Sequence, residues 1–149
     1  MRRFHFHAGQ LRSLARRHLR VAFNLLFQLG WKTLASFGLR DKALKGRLGA
    51  TAVPHTHTRK LDYHPHVHWI VPAGALDAKH RLWRRKGGKY LFRHNSLARV
   101  FRAKWLQALK DYGLTVESRL PENGRSIAST WAVATRPSPI LANTSIVPC

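Results

Sequence analysis

Ala50-Thr51-Ala52-Val53-Pro54-His55-Thr56-His57-Thr58 and, four residues later, Tyr63-His64-Pro65-His66-Val67-His68-Trp69-Ile70-Val71 are the stretches on which the fold turns. Both are rich in β-branched, aromatic and histidine residues, and the polar Arg59-Lys60-Leu61-Asp62 between them marks a turn, so they predict a β-hairpin. Alternate side chains of a strand share a face, so His64, His66 and His68 project together while Pro65 and Val67 point the other way. Two imidazoles at i and i+2 suit one metal ion. The strand that folds back brings His55 and His57 beside this row, and either can supply a third ligand. A divalent ion held in this way keeps open positions for a substrate oxygen. A single His-x-His such as His5-Phe6-His7 is ordinarily a solvent-facing strand pair. The added His64, the opposing His55 and His57 and the apolar continuation Trp69-Ile70-Val71 favour metal binding here.

Upstream, Leu11, Leu14, Ala15, Ala22, Leu25 and Leu29 recur at helical spacing, while Arg12, Arg16 and Arg20 form an i, i+4 stripe. This predicts one long amphipathic helix from Gln10 to Leu29 with a basic edge. Trp31 to Phe37 either continues it past Gly30 or forms a second short helix. Lys42, Lys45 and Arg47 sit in a glycine-punctuated loop. Downstream, Pro72 and Gly74 end the second strand. Arg81 to Lys86 and Lys89 to Phe92, around Gly87-Gly88, predict a second, strongly basic hairpin. Leu97, Phe101, Trp105, Ala108, Leu109 and Tyr112 make the apolar stripe of a last helix, with Asn95 or Ser96 as N-cap and Gly113 as its stop. Arg99, Arg102, Lys104 and Lys110 decorate its outer face. Residues 121–149 have neither helical nor strand period.

The chain of 149 residues carries 27 Lys and Arg against 6 Asp and Glu, a formal charge of +21. That balance excludes an ordinary soluble metabolic enzyme and calls for a polyanion, with nucleic acid the commonest partner. With 44% apolar residues and five Trp the chain has enough material for a core. A single cysteine, Cys149, removes both a disulfide framework and a Cys-based zinc ribbon. The longest apolar run, Val21 to Trp31, is interrupted by Asn24, Gln28 and Gly30 and falls short of the roughly 20 residues of a bilayer span. The basic N-terminal region has no apolar segment of the signal-peptide kind. The expected location is cytoplasmic and nucleoid-associated, with no membrane partner.

Tyr63-His64-Pro65-His66-Val67-His68-Trp69-Ile70-Val71-Pro72 resembles the HUH motif (histidine, bulky hydrophobe, histidine) of the two-tyrosine rolling-circle insertion-sequence transposases, part of the HUH endonuclease superfamily. Leu11 to Phe27, Gly49 to Val53, Gly74 to Leu76, and Tyr90-Leu91-Phe92 with Leu97 to Leu109 are similar to that family in order and spacing, so the likeness covers roughly Gln10 to Glu122. It implies an α+β fold in which an antiparallel sheet carrying the HUH strand is flanked by amphipathic helices. It implies single-strand DNA cleavage and strand transfer through a 5′-phosphotyrosine link, assisted by Mg²⁺ or Mn²⁺. His66 and His68 match the paired metal ligands. The match leaves the third ligand open, and His55 is preferred over His64 or His57. The expected partner is single-stranded or hairpin DNA at insertion-sequence ends. Its expected contacts are Arg12, Arg16, Arg20, Arg84, Arg85, Lys86, Lys89, Arg99 and Arg102, while Trp83 suits either base stacking or the core.

Departures from the family shape the functional expectation. Residues 1–9 make an atypical start, and residues 10–120 correspond to a partial HUH catalytic domain. The nucleophilic tyrosines of the family lie on a helix beyond the basic one, and no tyrosine follows Tyr112. Tyr63, Tyr90 and Tyr112 read as packing residues. The chain is therefore expected to be an inactive transposase fragment, its tail read out of frame after Glu122. Across Pro139 to Val147 the neighbouring frame permits Tyr-Leu-Gly-Gln-Tyr-Leu-Tyr, similar to the family's nucleophile segment. The competing expectation is a non-catalytic basic nucleic-acid-binding module. A structural zinc hairpin is a third, distinguished by loss of fold on chelation.

Overall fold

The computed structural model describes residues 1–6, 11–88 and 90–114. Its elements in chain order are β1 (Arg2–Phe6), α1 (Leu11–Arg17), α2 (Leu19–Arg40), β2 (Thr51–His57), β3 (Tyr63–Val71), β4 (Gly74–Asp77), β5 (Leu82–Arg85) and α3 (His94–Asp111). They form the expected α+β arrangement. A three-stranded antiparallel sheet in the order β1-β3-β2 lies beside a separate β4-β5 hairpin. The N-terminal stretch, atypical in sequence, thus supplies an edge strand, with Phe4 opposite Trp69 and buried in the core.

The central strand β3 is two-sided. Pro65, Val67, Trp69 and Val71 are buried, and the last three share one core with Leu25, Leu26 and Leu29 of α2 and with Leu97, Phe101 and Trp105 of α3. Trp69 meets Phe27 edge-on at 6.2 Å and stacks near-parallel on Trp31 at 6.0 Å. Gly30 makes this approach possible, since a β-carbon there would lie 3.0 Å from Trp69 Nε1. Mid-helix glycine costs about 1 kcal/mol relative to alanine, and the close packing of an aromatic strand residue offsets it. α2 accordingly runs straight through Gly30 to Arg40.

The expected single helix over Gln10 to Leu29 is instead two. The chain breaks at His18, whose φ of −139° and ψ of 62° are non-helical. Leu11 and Ala15 of α1 still enter the same core as Ala22, Leu25 and Leu26 of α2. α3 begins at His94, before both anticipated caps, with no side-chain cap on its first turn. Gly113 (φ 65°) ends it as expected, but Tyr112 is exposed rather than part of the stripe.

The second hairpin corrects the sequence expectation. β5 pairs with β4, Leu76 opposite Trp83, and not with Tyr90 to Phe92; Lys89, the first residue of the expected partner strand, lies outside the described residues. Leu91 and Phe92 are both buried, Phe92 lying 5.5 Å from Phe37 and 6.4 Å from Phe4. Two consecutive residues that both need burial do not fit a strand with one solvated face. The true turn contains no glycine. Asp77 Oδ1 accepts from the N–H groups of Lys79 and His80 at 3.1 and 3.2 Å, and Arg81 takes a left-handed φ of 52°.

Two carboxylates brace this region. Asp77 Oδ2 accepts from Arg84 Nε and Nη2 at 2.8 and 2.7 Å and from His80 Nδ1 at 2.7 Å. Asp41 accepts from Lys86, and its Oδ1 caps Ala43 and Leu44. Burial pushes the Asp41 carboxyl up, but the Lys86 ammonium and the two backbone N–H groups outweigh it and hold the carboxyl below its usual range.

Trp105→Ala, at a fully buried position, is expected to lower unfolding stability by about 3–5 kcal/mol in urea titrations. Hydrogen bonds from His80 and Arg84 hold the Asp77 carboxyl far below the usual carboxylate range. A depressed carboxylate stabilises the fold fully above its unfolded pKa of about 3.9, and that contribution fades as pH falls below it. Asp77→Asn should therefore lower stability at neutral pH and flatten the acid-side loss, as measured by thermal melts from pH 7 to pH 2.

Candidate metal centre and basic surface

Burying the Val67, Trp69 and Val71 face of β3 against the helices turns His64, His66 and His68 to the opposite face of the sheet. β2 is in register with Thr51 opposite Ile70, Val53 opposite His68 and His55 opposite His66. Directly opposed residues share a face, which places His55 over the same two imidazoles. Its ring centroid lies 5.3 Å from that of His66 and 4.2 Å from that of His68, and the latter two are 4.7 Å apart. One nitrogen from each of the three falls within 4.8 Å of the others.

The other two histidines of the cluster stand outside this trio. The register shifts between His55 and His57, so His57 pairs with Tyr63, its ring edge-on at 5.7 Å, while Thr56 Oγ1 lies 2.8 Å from its Nδ1. The bulge displaces it from the His66 and His68 row. His64 keeps the row's spacing, 5.2 Å from the His66 ring, with Arg12 Nη2 3.4 Å from its Nδ1. Sequence alternation alone left His55, His57 and His64 as open alternatives. The pairing register and its bulge separate them.

The protonation pattern suits ligation. His66 is buried, and its Nδ1 is 2.5 Å from the His64 carbonyl oxygen. A carbonyl only accepts, so Nδ1 carries a proton, and in the neutral ring Nε2 then keeps its lone pair. His66 Nε2 and His68 Nε2 are 2.8 Å apart. Burial pulls the His66 pKa below its ordinary value, and the neighbouring His55 adds to this against the opposing bond to the His64 carbonyl. His64 is lowered too, by burial first and then by His66 and Arg12. A neutral imidazole with its second nitrogen tied to the backbone is the arrangement that holds a metal ligand in orientation.

Among the described residues the basic side chains separate into those paired with a carboxylate and those that are not. Arg12, Arg16 and Arg20 are exposed, the first two at the Tyr63 end of β3, with the Arg16 guanidinium 5.9 Å from the Tyr63 ring centre. Arg85 and Arg99 are exposed, and Arg102 is half-buried. Arg84 and Lys86, expected to face DNA, are tied to Asp77 and Asp41, and Lys86 also lies 5.5 Å over the Phe92 ring. The clue in the sequence is the scarcity of acid: with 6 carboxylate residues against 27 cationic ones, both partly buried acids among the described residues, Asp41 and Asp77, collect a base. Lys89 and the segment after residue 114, including the tail assigned to another reading frame, lie outside the described residues. Among the described residues no helix is long and apolar enough to cross a membrane.

Residues 49–135, which include β2, β3, the β4-β5 hairpin and α3, match the model of a family described as "Putative transposase". The chain is 28% identical over 98 residues to "Putative transposase y4qJ" of Sinorhizobium fredii, covering 66% of this chain and 25% of that protein. It is 36% identical over 66 residues to the "Transposase for insertion sequence element IS801" of Pseudomonas savastanoi pv. phaseolicola, covering 44% of this chain and 14% of that one. The matched segments thus span a quarter or less of these relatives. No solved structure matches. With more than half its length aligned to the family model, including all three converging histidines, the chain belongs to this transposase family.

Proposed function

We propose that this chain is the metal-holding and DNA-contacting part of a rolling-circle HUH transposase. The observation that carries the reading is the convergence of His55, His66 and His68 on the sheet face turned away from the helices. The donor set fits a metal: three imidazoles, one buried and pre-oriented by a backbone carbonyl. Imidazole nitrogen favours a transition ion over Mg²⁺, so Mn²⁺ is the better fit of the two expected ions. When bound, the ion supplies Lewis-acid polarisation of a phosphoryl oxygen. His66 and His68 hold it from the central strand and His55 from the edge strand. Arg12, Arg16 and Arg20, with Arg85, Arg99, Arg102 and Lys89, neutralise phosphates of a single-stranded or hairpin end. Such binding places the protein with DNA in the cytoplasm and nucleoid.

On this reading the chain binds without cleaving. Tyr63 packs between His57 and Arg16, Tyr90 lies against His94, and Tyr112 is exposed beyond α3. The reading includes the frame change after Glu122. Sequencing the gene is its direct test. The observation that favours a second reading, a non-catalytic nucleic-acid-binding module, is that none of these tyrosines lies among the three histidines.

Calorimetric titration with Mn²⁺ should show binding to the wild-type chain, loss of binding in the His66→Ala, His68→Ala double variant, and retention in His57→Ala. Equal heats from wild type and double variant would sink the metal assignment and leave the module reading. Incubation with Mn²⁺ and labelled single-stranded DNA should yield no covalent adduct, and an adduct abolished by Tyr63→Phe, Tyr90→Phe or Tyr112→Phe would reverse the assignment of inactivity. Arg85→Ala should weaken DNA binding without changing the melting temperature. Arg84→Ala should lower the melting temperature, because it removes two of the hydrogen bonds to the buried Asp77 carboxylate.

A further inference from the structure

β4 and β5 pair with Gly74 opposite Arg85 and Leu76 opposite Trp83. From the other side Arg47 bridges to Leu76, its N–H donating to the Leu76 carbonyl and its own carbonyl accepting from the Leu76 N–H, both at 2.8 Å. Opposed residues present their side chains to one face, so Arg47, Leu76 and Trp83 form a row with Arg85 diagonal to it. All four are exposed, Leu76 at 46% and Trp83 at 49%. Gly74, on the same face, seats the indole: a β-carbon there would come within 2.6 Å of Trp83 Cε2 and Nε1. The ring therefore lies against the backbone in a defined position. On the reverse face Ala75 is fully buried and Asp77 clasps Arg84, which makes the hairpin rigid beneath the row.

An apolar pair set rigidly on an exposed strand face marks a binding surface when charge flanks it on both sides. Among the described residues neither Arg47 nor Arg85 pairs with a carboxylate. We propose that this row is a stacking platform for an unpaired base of single-stranded nucleic acid, with Trp83 and Leu76 receiving the base and Arg47 and Arg85 its flanking phosphates. It rests on the DNA-binding reading above and deepens it by assigning single-strand preference to a site separate from the three histidines. A base has a flat π-face of indole size and brings phosphates on either side, which matches an aromatic residue between two guanidinium groups. Two apolar side chains are too few to hold a bilayer surface.

The test is fluorescence anisotropy with a labelled oligothymidylate of about ten nucleotides and a duplex of the same length, each across a salt series. Trp83→Ala should weaken single-strand binding by about 5- to 100-fold, with duplex affinity and the salt slope unchanged, because stacking neutralises no phosphate. Trp83→Phe should retain most of the affinity. The Arg47→Ala, Arg85→Ala variant should reduce the log-log salt slope for the single strand by about 0.7 per residue. Wild-type binding with no loss in Trp83→Ala, or equal losses on both substrates, overturns the platform and leaves the DNA-binding reading standing. Failure of the wild type to bind any DNA overturns both. Displacement of the oligonucleotide by polyglutamate from wild type but not from Trp83→Ala would make the row a protein-docking surface and overturn it as well.

Discussion

The contact between Trp69 and α2 is the constraint on which the rest of the molecule depends. Gly30 lets the helix approach the indole, and Phe27 and Trp31 hold it from two sides. Because strand side chains alternate, seating Trp69, Val67 and Val71 in the core commits His64, His66 and His68 to the other face. A slip of one residue would bury three imidazoles among leucines and expose the core row. The histidine row is therefore held in place by hydrophobic packing on the far side of the same strand. β2 adds the third histidine through register alone, without a side-chain contact designed for the purpose.

Charge is organised as economically as packing. A chain with this excess of cations gains little from scattered surface pairs, and the described acids that matter are partly buried and do structural work. Asp41 ties Lys86 beneath Phe92, and Asp77 ties Arg84 and His80 across the hairpin. These pairs remove two of the cations expected to face DNA and leave Arg12, Arg16, Arg20, Arg85 and Arg99 exposed. On the proposed reading, phosphate contacts set position along the strand, while the histidine trio and the Trp83 row meet the nucleic acid with different chemistry.

Family membership and geometry reinforce each other over the same residues. The matched segment contains His55, His66 and His68 as well as the hairpin and α3, while β1, α1 and α2, which complete the core around β3, precede it.

Much of this was legible in local sequence. Hydrophobic alternation in Tyr63 to Val71 marked a two-sided strand, the turn before Tyr63 marked its partner, and the stripe Leu97, Phe101, Trp105, Leu109 marked α3, because these patterns are set by the backbone's own periods of two and 3.6. The abundance of cations marked a polyanion partner. What only the tertiary structure decided depends on contacts between residues distant in sequence. The bulge after His55 selects it over His57. The core's demand for both Leu91 and Phe92 moves the second hairpin one strand upstream. Asp41, 45 residues from Lys86, withdraws that lysine from the surface. No local period carries such information, since each outcome is a competition for burial or for a counter-charge that is settled only when the whole chain is packed.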